Sequence, residues 1–204
     1  MMALRVVGVL AGLSCVLCQG QNNLPFLPKP PAPGPCPLVP VVNNFDLQRY
    51  LGRWYEIERF FNPFQNGECV TADYELFPNG TVSVINTQIS EGELDSISGF
   101  AELGPNQSEG KLVVDFPFSE GSFSPDGVPN YIVVATDYSN YAVVHSCTYL
   151  GPELKLEFSW ILAREPNVPA SFLMALKEWL KIVNIDASRY LPTLQTPYCP
   201  RRQV

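Results

Sequence analysis

The amino-acid sequence predicts an all-β fold with one C-terminal helix, namely an eight-stranded antiparallel up-and-down β-barrel. Three observations support this fold class. Short runs of alternating apolar and polar residues follow one another through the middle of the chain, as expected of half-buried strands. Turn signals such as Pro78-Asn79-Gly80, Pro125-Asp126-Gly127 and Ser139-Asn140 separate these runs. One stripe of apolar residues at helical spacing follows the last run.

The N-terminal segment 1–20 is expected to be a cleavable signal peptide. Met1 to Arg5 form a short basic start, and the apolar run Val6 to Cys18 is too short to span a bilayer. Small residues end at Gly20, so the expected mature chain begins near Gln21, which could cyclise to pyroglutamate. The sequence therefore predicts a secreted, extracellular protein.

The charge balance argues against one class of partner. Asp and Glu number 20 against 13 Lys and Arg, a formal net charge of -7 at pH 7. Nucleic-acid binding depends on clustered positive charge, so an acidic surface should repel phosphate backbones. We therefore expect no nucleic-acid partner.

Cysteine usage agrees with export. Cys15 and Cys18 belong to the predicted leader, which leaves Cys36, Cys69, Cys147 and Cys199 in the mature chain. An even number in an oxidising compartment predicts two disulfides, with three possible pairings. The wide spacings do not fit a zinc site, and no metal or other cofactor is expected. Two Asn-x-Ser/Thr sequons predict glycosylation at Asn79 and Asn106.

Proline dominates the segment 21–40, which precedes the barrel. Because proline lacks a backbone donor and fixes φ, Leu24 to Pro40 should be an extended arm rather than a strand or a helix. Residues 41–190 are assigned to the barrel together with its helix. Cys36 is expected to link the arm to this domain. Residues 191–204 are assigned to a C-terminal tail, which contains Cys199 and is expected to be held by a disulfide.

Eight runs have the alternation of barrel strands. The candidate strands are Trp54 to Phe60, Cys69 to Phe77, Thr81 to Ser90, Leu94 to Leu103, Lys111 to Pro117, Asn130 to Asp137, Tyr141 to Tyr149 and Glu153 to Arg164. Joined by short links, they can close on themselves and leave no exposed edge. The alternation assigns one shared face each to Val70, Ala72 and Tyr74, to Val82, Val84 and Asn86, and to Leu156, Phe158, Trp160 and Leu162.

One helix is predicted from Ala170 to Val183. Its apolar positions are Phe172, Leu173, Leu176, Trp179, Leu180 and Val183, at spacings of three and four. Pro169 stands where the start of a helix tolerates proline. The stripe should pack on the outside of the barrel.

Three motifs resemble those of the lipocalin family. They are Asn44-Phe45-Asp46 with Gly52-Arg53-Trp54-Tyr55-Glu56-Ile57, then Thr136-Asp137-Tyr138 with Tyr141-Ala142-Val143-Val144, and finally Ile161-Leu162-Ala163-Arg164. They occur in the family's order, with four cysteines and a helix after the third motif. The resemblance covers nearly all of the mature chain and implies a carrier of a small hydrophobic molecule.

The resemblance also implies structural roles. Gly52 permits a tight turn into the first strand, Trp54 plugs the closed end, and Arg164 lies over the indole while donating to carbonyls. Asp137 and Tyr138 should support a loop at the same end. The implied disulfides are Cys36 with Cys147 and Cys69 with Cys199.

For the ligand, the resemblance implies a cavity at the other end of the barrel. The implied ligand-binding residues are Tyr74, Asn86, Trp160, Ala72, Val84 and Phe158. The cargo would be a fatty acid, a steroid or a retinoid-like lipid. Two alternatives stay open: a bilin- or carotenoid-binding pigment carrier, and a partner-binding protein whose barrel is filled by side chains.

Aromatic residues also concentrate in two predicted loops at the barrel mouth. One contains Phe60, Phe61, Pro63 and Phe64, and the other contains Phe116, Pro117, Phe118 and Phe123. Such rings often mark a contact surface, here a lipoprotein or membrane surface, although they could instead fold inward as a lid.

The sequence does not predict an enzyme. His145 is the single histidine, and its strand position favours a hydrogen-bonded barrel residue over a catalytic base. One enzymatic branch of the family uses a barrel cysteine, but the implied pairing leaves no free thiol here. Met174 lies on the predicted helix, so no methionine at the mouth is available to reduce lipid peroxides.

Overall fold

The computed structural model describes residues 31–116 and 127–200. The predicted signal peptide, Gln21 and the first part of the proline-rich arm lie outside the described residues, as do Pro117, Phe118 and Phe123. The helices and strands are β1 (Ala32–Pro33), α1 (Leu47–Tyr50), β2 (Gly52–Phe60), β3 (Glu68–Leu76), β4 (Val82–Ser90), β5 (Glu93–Leu103), β6 (Lys111–Asp115), β7 (Tyr131–Thr136), β8 (Tyr141–Leu150), β9 (Leu154–Ala163), α2 (Ala170–Ile182) and β10 (Tyr190–Pro192).

The strands β2 to β9 form a closed antiparallel barrel. Each pairs with its neighbour in the chain, and β9 also pairs with β2, where Tyr55 faces Ala163 and Arg59 faces Trp160. This confirms the predicted eight-stranded up-and-down barrel. Closure gives every barrel strand two partners over part of its length, so the sheet has little free edge.

The proline-rich arm departs from the prediction at one point. Ala32 and Pro33 form β1, which pairs with Lys155 and Leu154 of β9, so the expectation of an arm without any strand was wrong here. The start of β9 extends past its pairing with β2, which reaches Trp160, and so offers a free edge. Proline is tolerated there because an edge strand uses hydrogen bonds on one side only. The Gly34 N–H then donates to the Glu153 carbonyl over 3.0 Å.

The helix α2 packs on the outside of the barrel, as predicted. Leu176 and Leu180 are buried in one apolar cluster with Val143 and Ile161, whose side chains point away from the barrel interior. No helix in residues 31–116 and 127–200 has the length and hydrophobicity needed to cross a membrane. Strand β10 follows and pairs with β2, and its short run Tyr190–Pro192 was not predicted.

Candidate ligand-binding cavity

One end of the barrel is closed by a buried tryptophan. Trp54 has no exposed surface, and its Nε1–H donates to the Tyr50 carbonyl over 2.9 Å. The Cζ atom of Arg164 lies 3.7 Å from the centroid of the indole, within cation–π distance. Gly52 enters β2 at a φ of +90°, a value that favours glycine. This end is therefore filled and rigidly held.

Arg164 also ties the closing segments together. Its guanidinium donates to four backbone carbonyls, those of Arg53 at 2.8 Å, Arg49 at 2.9 Å, Tyr138 at 3.0 Å and Tyr50 at 3.2 Å. The fork of five N–H groups makes this possible, and a lysine could not reproduce it.

The loop between β7 and β8 completes the closed end. The Asp137 carboxylate accepts hydrogen bonds from the backbone of Ser139, Asn140 and Tyr141 and from the Asn140 amide. Although burial acts in the opposite direction, these hydrogen bonds hold the pKa of Asp137 below its ordinary value. The next residue, Tyr138, has a φ of 68°, and its hydroxyl oxygen accepts a hydrogen bond from the Asp46 N–H over 3.1 Å.

Above this plug the barrel interior is open. It holds a cavity of about 670 Å³. Its wall includes all six residues predicted to bind ligand: Ala72, Tyr74, Val84, Asn86, Phe158 and Trp160. Most of the exposed cavity surface is apolar, with polar groups at a few positions. A cavity of this size and character suits one small lipid.

Three tyrosines form a hydrogen-bonded chain at the base of the cavity. The Tyr131 hydroxyl lies 2.7 Å from that of Tyr50 and 2.9 Å from that of Tyr74. Burial raises the pKa of Tyr74 to about 12 and also raises the pKa values of Tyr50 and Tyr131 well above their ordinary value, so all three are protonated at neutral pH. The sequence prediction missed Tyr131, although its place in a predicted strand was a usable signal.

A second polar network ties the loop after β2 to the wall. The Gln65 side chain accepts the Trp160 Nε1–H over 3.0 Å and donates to Glu56 Oε2 over 2.9 Å. Arg59 holds the same loop by donating to the Gln65 carbonyl over 2.7 Å. Burial raises the pKa of Glu56, against the opposing effects of hydrogen bonds from Thr193 and Gln65 and the charge of Arg59.

Comparison with known proteins agrees with this architecture. The family model described as a Lipocalin-like domain matches residues 45–191. The chain belongs to the lipocalin family. Apolipoprotein D of Mus musculus is 38% identical over 168 residues, which are 82% of this chain and 85% of that protein. The Lazarillo protein of Schistocerca americana is 33% identical over 78% of this chain and 74% of its own length.

Solved lipocalin structures share the fold. The insecticyanin of the tobacco hornworm Manduca sexta superposes with a TM-score of 0.70 and 30% identity, covering 82% of this chain and 90% of that chain. Lobster apocrustacyanin A1 gives a TM-score of 0.63 and 26% identity, over 81% and 95% of the two chains. This lipocalin is a homologue of apolipoprotein D, and so belongs with the non-enzymatic binding proteins of the family rather than with its enzymatic branch.

Both disulfides of the lipocalin form as the resemblance implied. Cys36 pairs with Cys147 and Cys69 pairs with Cys199, with Cα atoms 5.8 and 5.2 Å apart. The first fastens the proline-rich arm to β8, and the second fastens the tail to β3. Within the described ranges, no cluster of three or more His, Cys, Asp or Glu side chains could hold a metal ion.

The aromatic residues at the mouth divide into two kinds. Phe60 is 1% exposed and packs against Tyr190 on the outer surface, so its assignment to a mouth loop was wrong. The register shift between Glu56 and Glu58 reverses the alternation at the end of β2 and turns Phe60 to the outer face, which the sequence pattern could not show. Phe64 is 47% exposed and stacks edge-on against Phe158 at 5.3 Å, and Phe116 lines the cavity.

His145 also differs from its prediction. It is buried on the outer face of β8, but neither ring nitrogen has a hydrogen-bond partner among the described residues. Its Nε2 lies 3.8 Å from Glu157 Oε1, while Arg189 and Lys155 approach the other carboxylate oxygen at 2.6 and 3.3 Å. The Glu157 carboxylate is thus paired with Arg189 and Lys155 rather than with His145. Burial lowers the pKa of His145 to about 4.

Proposed function

We propose that this lipocalin is a secreted, extracellular carrier that binds one small hydrophobic molecule in its barrel cavity. The observation that carries the proposal is the cavity of about 670 Å³ between a sealed end and an open mouth. The proposed contacts are the apolar surfaces of Ala72, Val84 and Phe158 and the polar groups of Tyr74, Asn86 and Trp160. The cargo class is a fatty acid, a steroid or a retinoid-like lipid.

The surroundings of the cavity support this proposal. Few polar groups face a largely apolar wall, a combination that fixes the orientation of a lipid without filling the space. Similarity to apolipoprotein D supports binding rather than catalysis. The two disulfides and the predicted signal peptide support an extracellular location.

Titration with retinol, followed by quenching of tryptophan fluorescence, tests the proposal. We expect saturable quenching at one retinol per chain, because Trp160 lines the cavity. Ala72→Phe should abolish it by placing a ring in the cavity, whereas Glu75→Phe, which adds the same ring at an exposed position on β3, should not. Failure of retinol, fatty acids and steroids alike to bind would contradict the proposal. Native mass spectrometry of protein from its own tissue would then name the cargo.

Two alternatives make different predictions. A bilin or carotenoid carrier would be coloured when purified from its tissue, which an absorption spectrum detects. A partner-binding protein with a filled barrel would bind none of these ligands, and the open cavity argues against it.

We also propose a secondary contact with a lipoprotein or membrane surface through the mouth loops. The exposed ring of Phe64 supports it, since an exposed phenylalanine beside a lipid cavity can meet the surface from which the lipid is taken. Liposome flotation tests this contact. Phe61→Ser combined with Phe118→Ser should reduce both flotation and lipid transfer, and unchanged transfer would contradict it.

A further inference from the structure

We infer that the cavity selects an uncharged lipid bearing a hydroxyl group and discriminates against the carboxylate form of the same lipid. The inference rests on the proposed function, because it requires that a ligand occupy the cavity. It narrows the cargo class, since ionised fatty acids and retinoate would be poor ligands. Charge, hydrogen bonding and burial support it separately.

The charged side chains that line the cavity are all acidic. Among the residues that the structure describes, no lysine, arginine or histidine lines the wall, whereas Glu56, Asp95 and Asp115 do. Residues 117–126, which lie outside that description, contain no basic residue in the sequence. A carboxylate placed in the apolar interior would therefore lose its hydration without gaining a counter-ion. A carboxylate left at the mouth would lie near Asp95 instead.

Arg59 contacts two residues that line the cavity, Glu56 and Gln65. Its Nε lies 3.6 Å from Glu56 Oε1, and its guanidinium donates to the Gln65 carbonyl. Both Glu56 and Gln65 line the cavity, so the charge of Arg59 lies beside a carboxyl group of the same wall, while its buried Nε has no hydrogen-bond partner among the described residues. When Glu56 is ionised, the pair has no net charge to offer an anionic ligand.

The tyrosine chain has one hydroxyl proton left over. Each phenol donates one proton, so Tyr50, Tyr74 and Tyr131 together bring three, while the chain contains two hydrogen bonds. Whichever way those bonds point, one proton has no acceptor within the chain. In two of the three possible arrangements that proton belongs to Tyr74 or Tyr131, which both line the cavity, so an oxygen of the ligand can accept it.

Asn86 supplies the complementary group. Its Oδ1 is buried and has no hydrogen-bond partner in the described part of the chain, and its residue lines the cavity. An unpaired buried acceptor is costly, so a ligand that donates to it is favoured. A hydroxyl group both donates and accepts, whereas a carboxylate only accepts. A hydroxyl can therefore satisfy both the tyrosine chain and the Asn86 Oδ1, whereas a carboxylate can accept from the phenols but cannot donate to that Oδ1.

Burial of the tyrosines also indicates that the cavity disfavours a charged ligand. The environment that raises the pKa of Tyr74 to about 12 disfavours a negative charge on that hydroxyl. The same environment disfavours a negative charge on a ligand oxygen beside it.

Retinol and retinoate form a matched pair of probes, because they share one hydrocarbon skeleton and differ in the terminal group. At pH 7.5 we expect retinoate to bind at least about tenfold more weakly than retinol, which corresponds to about 1.4 kcal/mol. Lowering the pH through the ordinary range of a carboxyl group, about 4 to 5, should strengthen binding of the retinoid acid and leave retinol unchanged. Equal or tighter binding of retinoate at pH 7.5 would overturn the inference.

Placing a cation in the cavity tests whether the lack of a basic side chain causes the preference for an uncharged ligand. Asn86→Lys should raise the affinity for retinoate relative to retinol, whereas Ile85→Lys adds the same charge on the outer face of β4 and should not. Glu56→Gln is a second test. It removes the carboxylate beside Arg59 and should likewise raise the affinity for retinoate relative to retinol. Thermal melts show which variants are folded, and folded variants that keep the original ratio of retinol to retinoate affinity would overturn the inference.

The outcomes separate this inference from the proposed function. If neither retinoid binds, the comparison is repeated with cis-9-octadecen-1-ol and oleate, which differ in the same terminal group. Binding of both classes with a preference for the carboxylate leaves the carrier function intact and overturns the selection of uncharged ligands. Absence of binding by every probe overturns both.

Discussion

The two ends of this barrel are stabilised by opposite means. At the closed end the interior is filled, since Trp54 is fully buried and Arg164 covers its ring and joins four carbonyls. At the open end the interior is a cavity, and the wall is braced from outside by disulfides at Cys69, near the start of β3, and Cys147, near the end of β8. A ligand cavity thus replaces core packing, and covalent links stabilise the strands around it.

This contrast predicts that stability and ligand choice respond to different substitutions. Changes at the closed end should alter the free energy of unfolding more than ligand preference. Changes in the cavity wall should do the reverse. Each experiment below compares the two ends.

Trp54→Ala is expected to have the largest effect. It removes a fully buried ring and leaves the Arg164 guanidinium without the indole face, so the free energy of unfolding should fall by about 3–5 kcal/mol. Urea unfolding measures the loss, and secretion should fall with it. The retinol-to-retinoate affinity ratio of the folded fraction should stay near that of the wild type. An unchanged melting temperature would contradict the role of Trp54 as the plug.

Removing a disulfide should loosen the open end selectively. Cys69→Ser with Cys199→Ser opens a link between residues separated by 130 positions and should lower the free energy of unfolding by about 2–5 kcal/mol. Hydrogen exchange should increase most near the start of β3 and least around Trp54. Cys36→Ser with Cys147→Ser is the matched comparison, and its increase should fall on the end of β8 and on β1. Uniform loosening of the whole barrel by either pair would contradict the division into two ends.

Mild acid should lower the free energy of unfolding through His145, on the outer face of β8. Burial lowers the pKa of His145 from 6.5 to about 4, so between these values the folded state binds fewer protons than the unfolded state. Stability from this site is complete above pH 6.5 and falls as the pH drops to about 4, by up to about 3 kcal/mol. Urea unfolding at several pH values should show this slope as the difference between wild type and His145→Gln, because the raised pKa of Glu56 acts in the opposite direction in both proteins.

Asp137 provides the matching group at the closed end. Its pKa lies below the ordinary 3.8, so its contribution persists above that value and is lost only in stronger acid. Asp137→Asn should therefore leave the slope between pH 6.5 and 4 unchanged. A slope that survives in His145→Gln would show that another group titrates in this range.

Local patterns in the sequence were sufficient to predict the barrel. The alternation of Val70, Ala72 and Tyr74 and of Phe158 and Trp160 reflects a property of each strand by itself, and the structure places Ala72, Tyr74, Phe158 and Trp160 in the cavity wall. The pairing of the cysteines followed from resemblance to the family, because the residues alone allowed three pairings.

Features that depend on distant parts of the chain could not be predicted in this way. The bonds from Tyr131 to Tyr50 and Tyr74 join positions separated by 81 and 57 residues. The Gln65 network depends on where the loop meets Glu56 and Trp160, and the outward position of Phe60 depends on a register shift in β2. Each results from closure of the barrel, which strand periodicity does not describe.

The smallest expected effect on stability comes from the mouth, where Phe64→Ala should act mainly on ligand release. Phe64 is 47% exposed and rests on Phe158 at the cavity wall, so its removal should cost less than about 1 kcal/mol of stability but open a path to water. Stopped-flow measurement should show faster retinol dissociation, with a smaller change in association, because related complexes differ mostly in dissociation rate. Phe77→Ala removes a ring with 39% exposure that follows β3 at the closed end, and it should leave both rates unchanged. Equal acceleration by the two variants would mean that ligand escapes through both ends, and the contrast between a sealed and an open end would then fail.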